Sequence, residues 1–424
     1  MAERLMKDSG VEWIGEIPSD WGMARTKAYL VNHKDIVGGK VDEYERLALT
    51  LNGVIKRSKE SVDGLQPEKF DGYQILNKDE LVFKLIDLEN VNTSRVGLSP
   101  YTGIVSPAYI CLKARNSTFS TRYAEYFFLS LWQREVFNHL GDDGVRSSLN
   151  ASDLLNIPFP DLDFEEQTRI ADFLDKKVSE IDNAIEKTKQ SIEEYKKLKQ
   201  SVITEAVTKG LDPNAEMKDS GNIDFPDIPS HWKTSKLKHV FSIKKDIAGK
   251  DGIQVLSITQ KGIIPKNINS NEGQIAADYS NYQLVEIGDF AMNHMDLLTG
   301  WIDISKYNGV TSPDYRVFVL NDKNNNCDRY YLYFFQMCYF NKIFYHLGQG
   351  VSNLGRWRLQ ADKFLNFTIP VCSKKEQVLI ADYLDKQCSK YNELISKKEQ
   401  IIIELEQYKK SLIYEYVTGK KEVA

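Results

Sequence analysis

The sequence predicts an α+β fold built twice: two similar globular regions separated by a long antiparallel two-helix coiled coil and related by a pseudo-twofold internal repeat. Three observations predict it. First, short motifs recur about 210 residues apart, a period too long for a solenoid and right for whole domains. Met6-Lys7-Asp8-Ser9-Gly10 returns as Met217-Lys218-Asp219-Ser220-Gly221, and Ile17-Pro18-Ser19-Asp20-Trp21 returns as Ile228-Pro229-Ser230-His231-Trp232. Second, Glu166-Gln167 with Ile170-Ala171-Asp172-Phe173-Leu174-Asp175-Lys176 matches Glu376-Gln377 with Ile380-Ala381-Asp382-Tyr383-Leu384-Asp385-Lys386. Third, each of these later motifs opens a long stretch with the apolar spacing of a coiled coil.

The elements follow in order. Residues 1–160 form a first mixed region, 161–216 a long helix and linker, 217–370 a second mixed region, and 371–424 a second long helix. Within the mixed regions, β-rich runs such as Glu80-Leu81-Val82-Phe83 and Tyr315-Arg316-Val317-Phe318-Val319-Leu320 alternate with turns rich in Gly, Asn and Pro. Aromatic-rich segments near Tyr123 to Leu140 and Tyr330 to Leu347 read as helices.

From Phe164 to Thr208 there is neither Pro nor Gly. Apolar residues recur there at Val178, Ile181, Ile185, Ile192, Tyr195, Leu198, Val202 and Ala206. The second helix repeats the stripe with Cys388, Tyr391, Ile395, Ile402, Leu405, Tyr408, Leu412 and Tyr416. Thr188 and Lys398 interrupt both stripes at the same position. Such a stripe packs either on its own domain or on a partner helix. Chain order favours the partner, because the first helix leaves region one for region two and the second is free to return antiparallel. At ~1.5 Å per residue the stripe from Val178 to Ala206 is roughly 42 Å long, close to one turn of B-DNA at about 34–36 Å.

Composition narrows the class. The 424 residues are 42% hydrophobic and 27% charged, which suits folded domains with cores of their own. No apolar run reaches bilayer length and Met1-Ala2-Glu3-Arg4 opens no signal peptide, so a cytoplasmic protein without a membrane partner is expected. Cys111, Cys327, Cys338, Cys372 and Cys388 form no Cys-x-x-Cys and read as buried reduced thiols, and no metal site is expected. The net charge of −5 argues against a basic wrap around nucleic acid, but the acid is concentrated in residues 161–216, which leaves room for a local basic face.

These motifs resemble, over essentially the whole chain, the specificity subunit of Type I restriction-modification systems. The resemblance is carried by Lys7-Asp8-Ser9-Gly10-Val11-Glu12-Trp13-Ile14-Gly15-Glu16-Ile17-Pro18 with Trp21, and by Pro158-Phe159-Pro160 leading to Glu166-Gln167, Ile170-Ala171 and Phe173-Leu174-Asp175. It implies two target-recognition domains, each reading one half of a bipartite double-stranded DNA target. It also implies docking of two methyltransferase subunits and, in the full complex, two motor-nuclease restriction subunits. The chain itself is then non-catalytic and holds no cofactor, with S-adenosylmethionine, ATP and Mg on the partner subunits. The second copy departs from the pattern at Phe225-Pro226-Asp227 and Ile369-Pro370-Val371, which puts local loop shape in question.

The absence of catalytic motifs agrees: no Asn-Pro-Pro-Tyr/Phe, no P-loop, no Gly-rich cofactor loop. One nuclease-like pattern, Pro160-Asp161 with Asp175-Lys176-Lys177, is lost in the second copy. A metal-dependent nuclease and a coiled-coil adaptor without DNA specificity are the alternatives. DNA contacts need Lys, Arg and amide side chains on loops. The candidates are Lys56, Arg57, Lys59, Asn92 and Arg95 in the first region, and Gln260, Lys261, Lys266, Asn293 and His294 in the second. Gly-rich loops add Arg146 and Ser147, and Arg356 and Arg358. Each such loop is a DNA contact or an ordinary solvated turn. The repeated Trp21 and Trp232 read as buried anchors rather than base-stacking groups. The expected helix-pair seam is Val178, Ile181, Ile185, Ile192 and Tyr195 against Ile395, Ile402, Leu405 and Tyr408.

Overall fold

The computed structural model describes residues 4–51, 53–60, 69–86, 88, 95–140, 148–267, 278–349 and 358–423. Its helices are α1 (Thr121–Gln133), α2 (Ala151–Asn156), α3 (Phe164–Lys209), α4 (Asp328–Phe340), α5 (Ala361–Asn366) and α6 (Lys374–Val417). The chain divides into two compact units, residues 1–189 with 400–424 and residues 190–399. Each unit thus holds a mixed region and part of both long helices, whereas the sequence reading set those helices apart as segments of their own. The reason is burial: Ile170, Ala171 and Leu174 of α3 share one core with Trp21, Phe83 and Phe159, and Ile380, Ala381 and Leu384 of α6 do the same with Trp232, Phe290 and Phe318.

In unit 1 a four-stranded antiparallel sheet runs in the order Arg95–Leu98, Leu81–Lys84, Ile110–Ala114, Leu30–Asn32. Successive side chains on a strand face opposite ways. Leu81 and Phe83 accordingly enter the core made with α1 and α3, while Val82 enters a second core with Leu47, Leu49, Leu76 and Val105 of a five-stranded sheet. Burial on both faces explains why Leu81-Val82-Phe83 is a continuous apolar run rather than an alternating one.

Unit 2 repeats the arrangement. Its four-stranded sheet has the order Phe241–Lys244, Arg316–Leu320, Phe290–Met292, Ile302–Ile304. Phe290 and Met292 face one core, and Ala291 faces the other with Leu256, Ile258 and Val285. The two departures noted in the second copy keep the strand pairing, although Gly15 takes a φ of +71° that Pro226 cannot adopt. Asp227–Pro229 pairs with Met217–Asp219 as Glu16–Pro18 pairs with Met6–Asp8. Thr368–Val371 pairs with Lys233–Lys236 as Pro158–Asp161 pairs with Gly22–Arg25. Phe225 is buried against Phe334 and Phe367 at ring-centroid distances of 5.3 and 6.0 Å.

Within each unit the long helices run antiparallel. In unit 1 the rings of Phe173 and Tyr416 lie 4.4 Å apart, and Lys409 reaches Asp182 at 2.6 Å, so one number rises as the other falls. In unit 2 Lys398 lies over the Tyr195 ring and Lys199 donates to Asn392 at 2.8 Å, the same opposed order. Ile181, Ile185 and Ile192 are buried, and Val178, Tyr195, Ile395, Ile402 and Leu405 are partly buried. Tyr408 corrects the expected seam: it is 51% exposed, and its counterpart Leu198 is 50% exposed. The alternation of three and four continued from Tyr195 and Leu405 falls on Lys199 and Lys409, one residue further on, and both are partly buried. In the last turns the buried face lies on Leu412, Ile413 and Val417 in α6, and on Ile203, Ala206 and Val207 in α3. The shared interruption is accommodated differently in the two units: Thr188 donates to the Ala184 carbonyl at 2.7 Å, and the Lys398 ammonium sits 5.6 Å from the centre of the Tyr195 ring.

Candidate nucleic-acid interface

The repeated motifs turn out to be a clamp that supports each mixed region. Asp163 accepts from the Glu166 backbone N–H at 2.7 Å and Ser373 from that of Glu376 at 3.3 Å, which caps the starts of α3 and α6. The Glu side chains are thereby left to accept the indole N–H groups of the buried Trp21 and Trp232, each at 2.9 Å. The adjoining amides of Gln167 and Gln377 accept from the backbone N–H of Ser120 and Cys327 at the starts of α1 and α4, at 2.9 and 2.8 Å. Tyr123 and Tyr330 then donate to the carbonyls of Val417 and Val207, at the last turns of α6 and α3. Both tryptophans are structural anchors.

The nuclease-like carboxylates are committed to this scaffold as well. Asp175 accepts from Arg122 and from Tyr126, each at 2.7 Å, and Asp385 pairs with Arg329 and accepts from Tyr333 at 2.8 Å. Burial works against the Arg122 charge, but Glu125 and Asp175 outweigh it and hold the group more firmly protonated than usual. Asp161 engages Tyr29, whose phenol is raised by burial first and by that carboxylate second. Among the described residues no group of three or more His, Cys, Asp or Glu could hold a metal.

The scaffold presents different side chains at equivalent positions. In unit 1 the strands Arg46–Thr50 and Gly53–Arg57 form a hairpin that places Arg46 directly opposite Arg57. Gly97 lies so close to this hairpin that a Cβ there would meet Leu49 at 2.8 Å, which brings Arg95 alongside. The three arginines converge on Tyr109: burial raises its phenol, and Arg95, Arg46 and Arg57 each pull it back. Arg46 is nearly buried over the Phe70 ring, with 5.3 Å between its Cζ and the ring centre. It was absent from the sequence-derived candidates, and its only signal there was a basic residue opening the run Leu47-Ala48-Leu49. Lys56 is ion-paired with Glu45 and lies 5.1 Å from the Tyr101 ring centre, and Lys59 donates to the Val41 carbonyl at 2.6 Å. Arg46, Lys56, Arg57 and Lys59 line a groove of about 550 Å³ together with Asp42, Glu43, Glu45 and Glu60. Asn92, Arg146, Ser147 and Arg356 lie outside the described residues.

In unit 2 the equivalent hairpin is Leu256–Thr259 with Gly262–Pro265, and its turn carries exposed Gln260 and Lys261. Gln260 donates to the Thr299 carbonyl at 3.3 Å, and the Lys266 N–H donates to Val255 at 2.8 Å. Thus Val255 and Lys266 occupy the positions of Arg46 and Arg57. Asn293 is partly buried, and its carbonyl accepts from Tyr339 at 2.8 Å. His294 is 4% exposed, and its imidazole is pushed down to about 3 by burial, then by Arg316 and Arg358. Arg358 is exposed and its backbone exchanges hydrogen bonds with Gln349 at 3.0 and 3.1 Å. Of the candidates, then, the structure gathers Arg57 with Arg95 in one unit and His294 with Arg358 in the other. One feature is common to both units: buried Gln74 donates to the carbonyls of Ser106 and Tyr109, and Gln283 to those of Ser312 and Tyr315.

The chain matches the model of the family described as Type I restriction modification DNA specificity domain twice, over residues 19–194 and 229–407. Two relatives from Methanocaldococcus jannaschii are each 26% identical: a putative type I restriction enzyme MjaX specificity subunit and the type I restriction enzyme MjaVIII specificity subunit. The first alignment spans 53% of this chain and 53% of the relative, about half the length of each; the second spans 76% and 75%. Among solved structures, a chain from work on complex assembly and conformational transition of the type I R-M system superposes with a TM-score of 0.68 at 12% identity, covering 96% of this chain and 99% of that one. The HsdS subunit from Thermoanaerobacter tengcongensis superposes with a TM-score of 0.51 at 12% identity, covering 96% and 98%. Among the described residues no helix is long and apolar enough to cross a membrane.

Proposed function

We infer, since this chain belongs to the Type I restriction-modification DNA specificity family, that it reads a bipartite, asymmetric double-stranded DNA target with one mixed region per half-site. The observation that carries this reading is the repeat itself: one scaffold, clamped by the same Trp-Glu and Tyr-carbonyl bonds in each unit, with different side chains at matching positions. Arg46, Arg57 and Arg95 stand where unit 2 has Val255, Lys266 and Trp301. Bidentate arginines favour guanine edges and phosphates, whereas amides favour adenine, so different side chains imply different half-sites. On this reading methyltransferase subunits, and restriction subunits in the full complex, dock on the chain in the cytoplasm, and S-adenosylmethionine, ATP and Mg serve those partners.

The test is to co-express the chain with its methyltransferase and sequence host DNA for N6-methyladenine. A two-part motif is expected. Exchanging residues 1–160 for those of another family member is expected to change one half of that motif. A change in both halves would overturn independent reading, and no motif at all would favour an adaptor.

A further inference from the structure

Unit 2 buries a basic pair that unit 1 does not have. The pairing of Met292 with Arg316 matches that of Phe83 with Ile110, and the Leu359 N–H donates to the His294 carbonyl as the Leu149 N–H donates to that of Leu85. His294 and Arg316 therefore take the places of Leu85 and Ile110. Since the same scaffold folds with apolar residues at both positions, folding does not require the charge.

The pair is also incompletely bonded. Arg316 is 5% exposed; its Nη2 donates to the Leu359 carbonyl at 2.8 Å, and its Cζ sits 5.1 Å from the centre of the Phe364 ring. These contacts fix the guanidinium plane, yet among the described residues the buried Nη1 has no hydrogen-bond partner, nor has the buried Nδ1 of His294. Among the described residues no carboxylate forms an ion pair with Arg316; Asp362 is near enough to favour its charge, and the Tyr339 hydroxyl is spent on Asn293. Burial and the neighbouring Arg358 bring Arg316 down to about 10. A held guanidinium with an unused donor beside a second, exposed arginine lacks an anion.

We propose that Arg358, Arg316 and His294 form a binding site for one phosphate group of the DNA backbone, specific to the second half-site, with exposed Arg358 making first contact and the Arg316 Nη1 donor held behind it. A phosphate fits better than a base edge. A negative oxygen relieves the repulsion between the two arginines, which a neutral base edge does not. The proposal rests on the DNA-reading function above.

The test uses the purified full chain and a duplex carrying its target. Salt dependence of binding counts phosphate contacts, each contributing about 0.9 to the slope of log affinity against log salt. Arg358→Ala is expected to weaken binding about tenfold and lower the slope by about one contact. His294→Leu with Arg316→Ile, which installs the unit 1 residues, is expected to do the same while keeping the thermal midpoint. If that double variant does not fold, Arg358→Ala alone must show the drop. Wild-type binding with both slopes unchanged in the variants overturns this site and leaves the general reading intact. A wild-type chain that binds no duplex overturns both. Inorganic phosphate supplies the other arm: if it stabilises the wild type more than the double variant while the DNA slope is unaffected, the site takes a free anion and the DNA assignment is wrong.

Discussion

The indole of Trp21 donates to the buried carboxylate of Glu166, 2.9 Å away and 145 positions later in the chain. Arg4 supports the same carboxylate at 2.9 Å. Trp21→Phe removes the donor and leaves a buried acceptor underused, at a cost of about 1–3 kcal/mol. Glu166→Gln keeps an acceptor and should cost less. Urea unfolding of the single and double variants checks this; independent, additive effects would show that the bond does not couple the two residues.

Gly210 and Gly419 follow the two long helices in left-handed conformation, with φ of +77° and +69°. Alanine at either site costs about 1–2 kcal/mol from backbone strain alone. At 419 an added Cβ would also meet Pro18 at 2.4 Å and Trp21 at 3.0 Å, whereas at 210 its nearest neighbours lie at 3.3 and 3.4 Å. Gly419→Ala is expected to lower the thermal midpoint further than Gly210→Ala by at least about 2–4 °C. Equal losses would mean that the Pro18 contact relaxes freely.

His294 gives a pH dependence with a definite sign. Its imidazole is pushed from 6.5 down to about 3 in the folded chain, by burial first and the two arginines second. Between those values the unfolded chain binds a proton that the folded chain refuses, so stability falls as pH falls, by up to about 1.4 kcal/mol per unit. Above pH 6.5 the contribution is flat. Unfolding of wild type and His294→Leu at pH 7 and pH 5 should show the smaller loss in the variant. Parallel losses would remove His294 as the cause.

Arg57 faces Arg46 across two strands and lines the groove of unit 1. Arg57→Ala is therefore expected to cost DNA affinity more than stability, and to relax only the first half of a methylation motif. Gel-shift titration alongside a thermal melt decides it. A variant that melts early but binds normally would make Arg57 a structural residue.

The scaffold was legible in the residues because its parts are local or repeated: the Trp and Glu-Gln motifs, the apolar runs and the two helical stripes. Tyr408 was misread because an apolar residue was preferred to its neighbour Lys409, which the alternation from Leu405 selects and which reaches Asp182 across the helix pair. Arg46 was missed because strand pairing, not spacing, brings it opposite Arg57. His294 looked like an exposed loop residue, and it lies 4% exposed beside Arg316 instead.

The chain by itself determined that one architecture is present twice, since duplication writes the same hydrophobic periods and the same Trp and Glu-Gln motifs into both halves. Only the tertiary structure decided which charges meet. Arg46, Arg57 and Arg95 gather on Tyr109, and His294, Arg316 and Arg358 gather at Leu359, because sheet register and strand crossing join positions far apart in the chain. Burial then sets their electrostatics, and burial is a property of the assembled core.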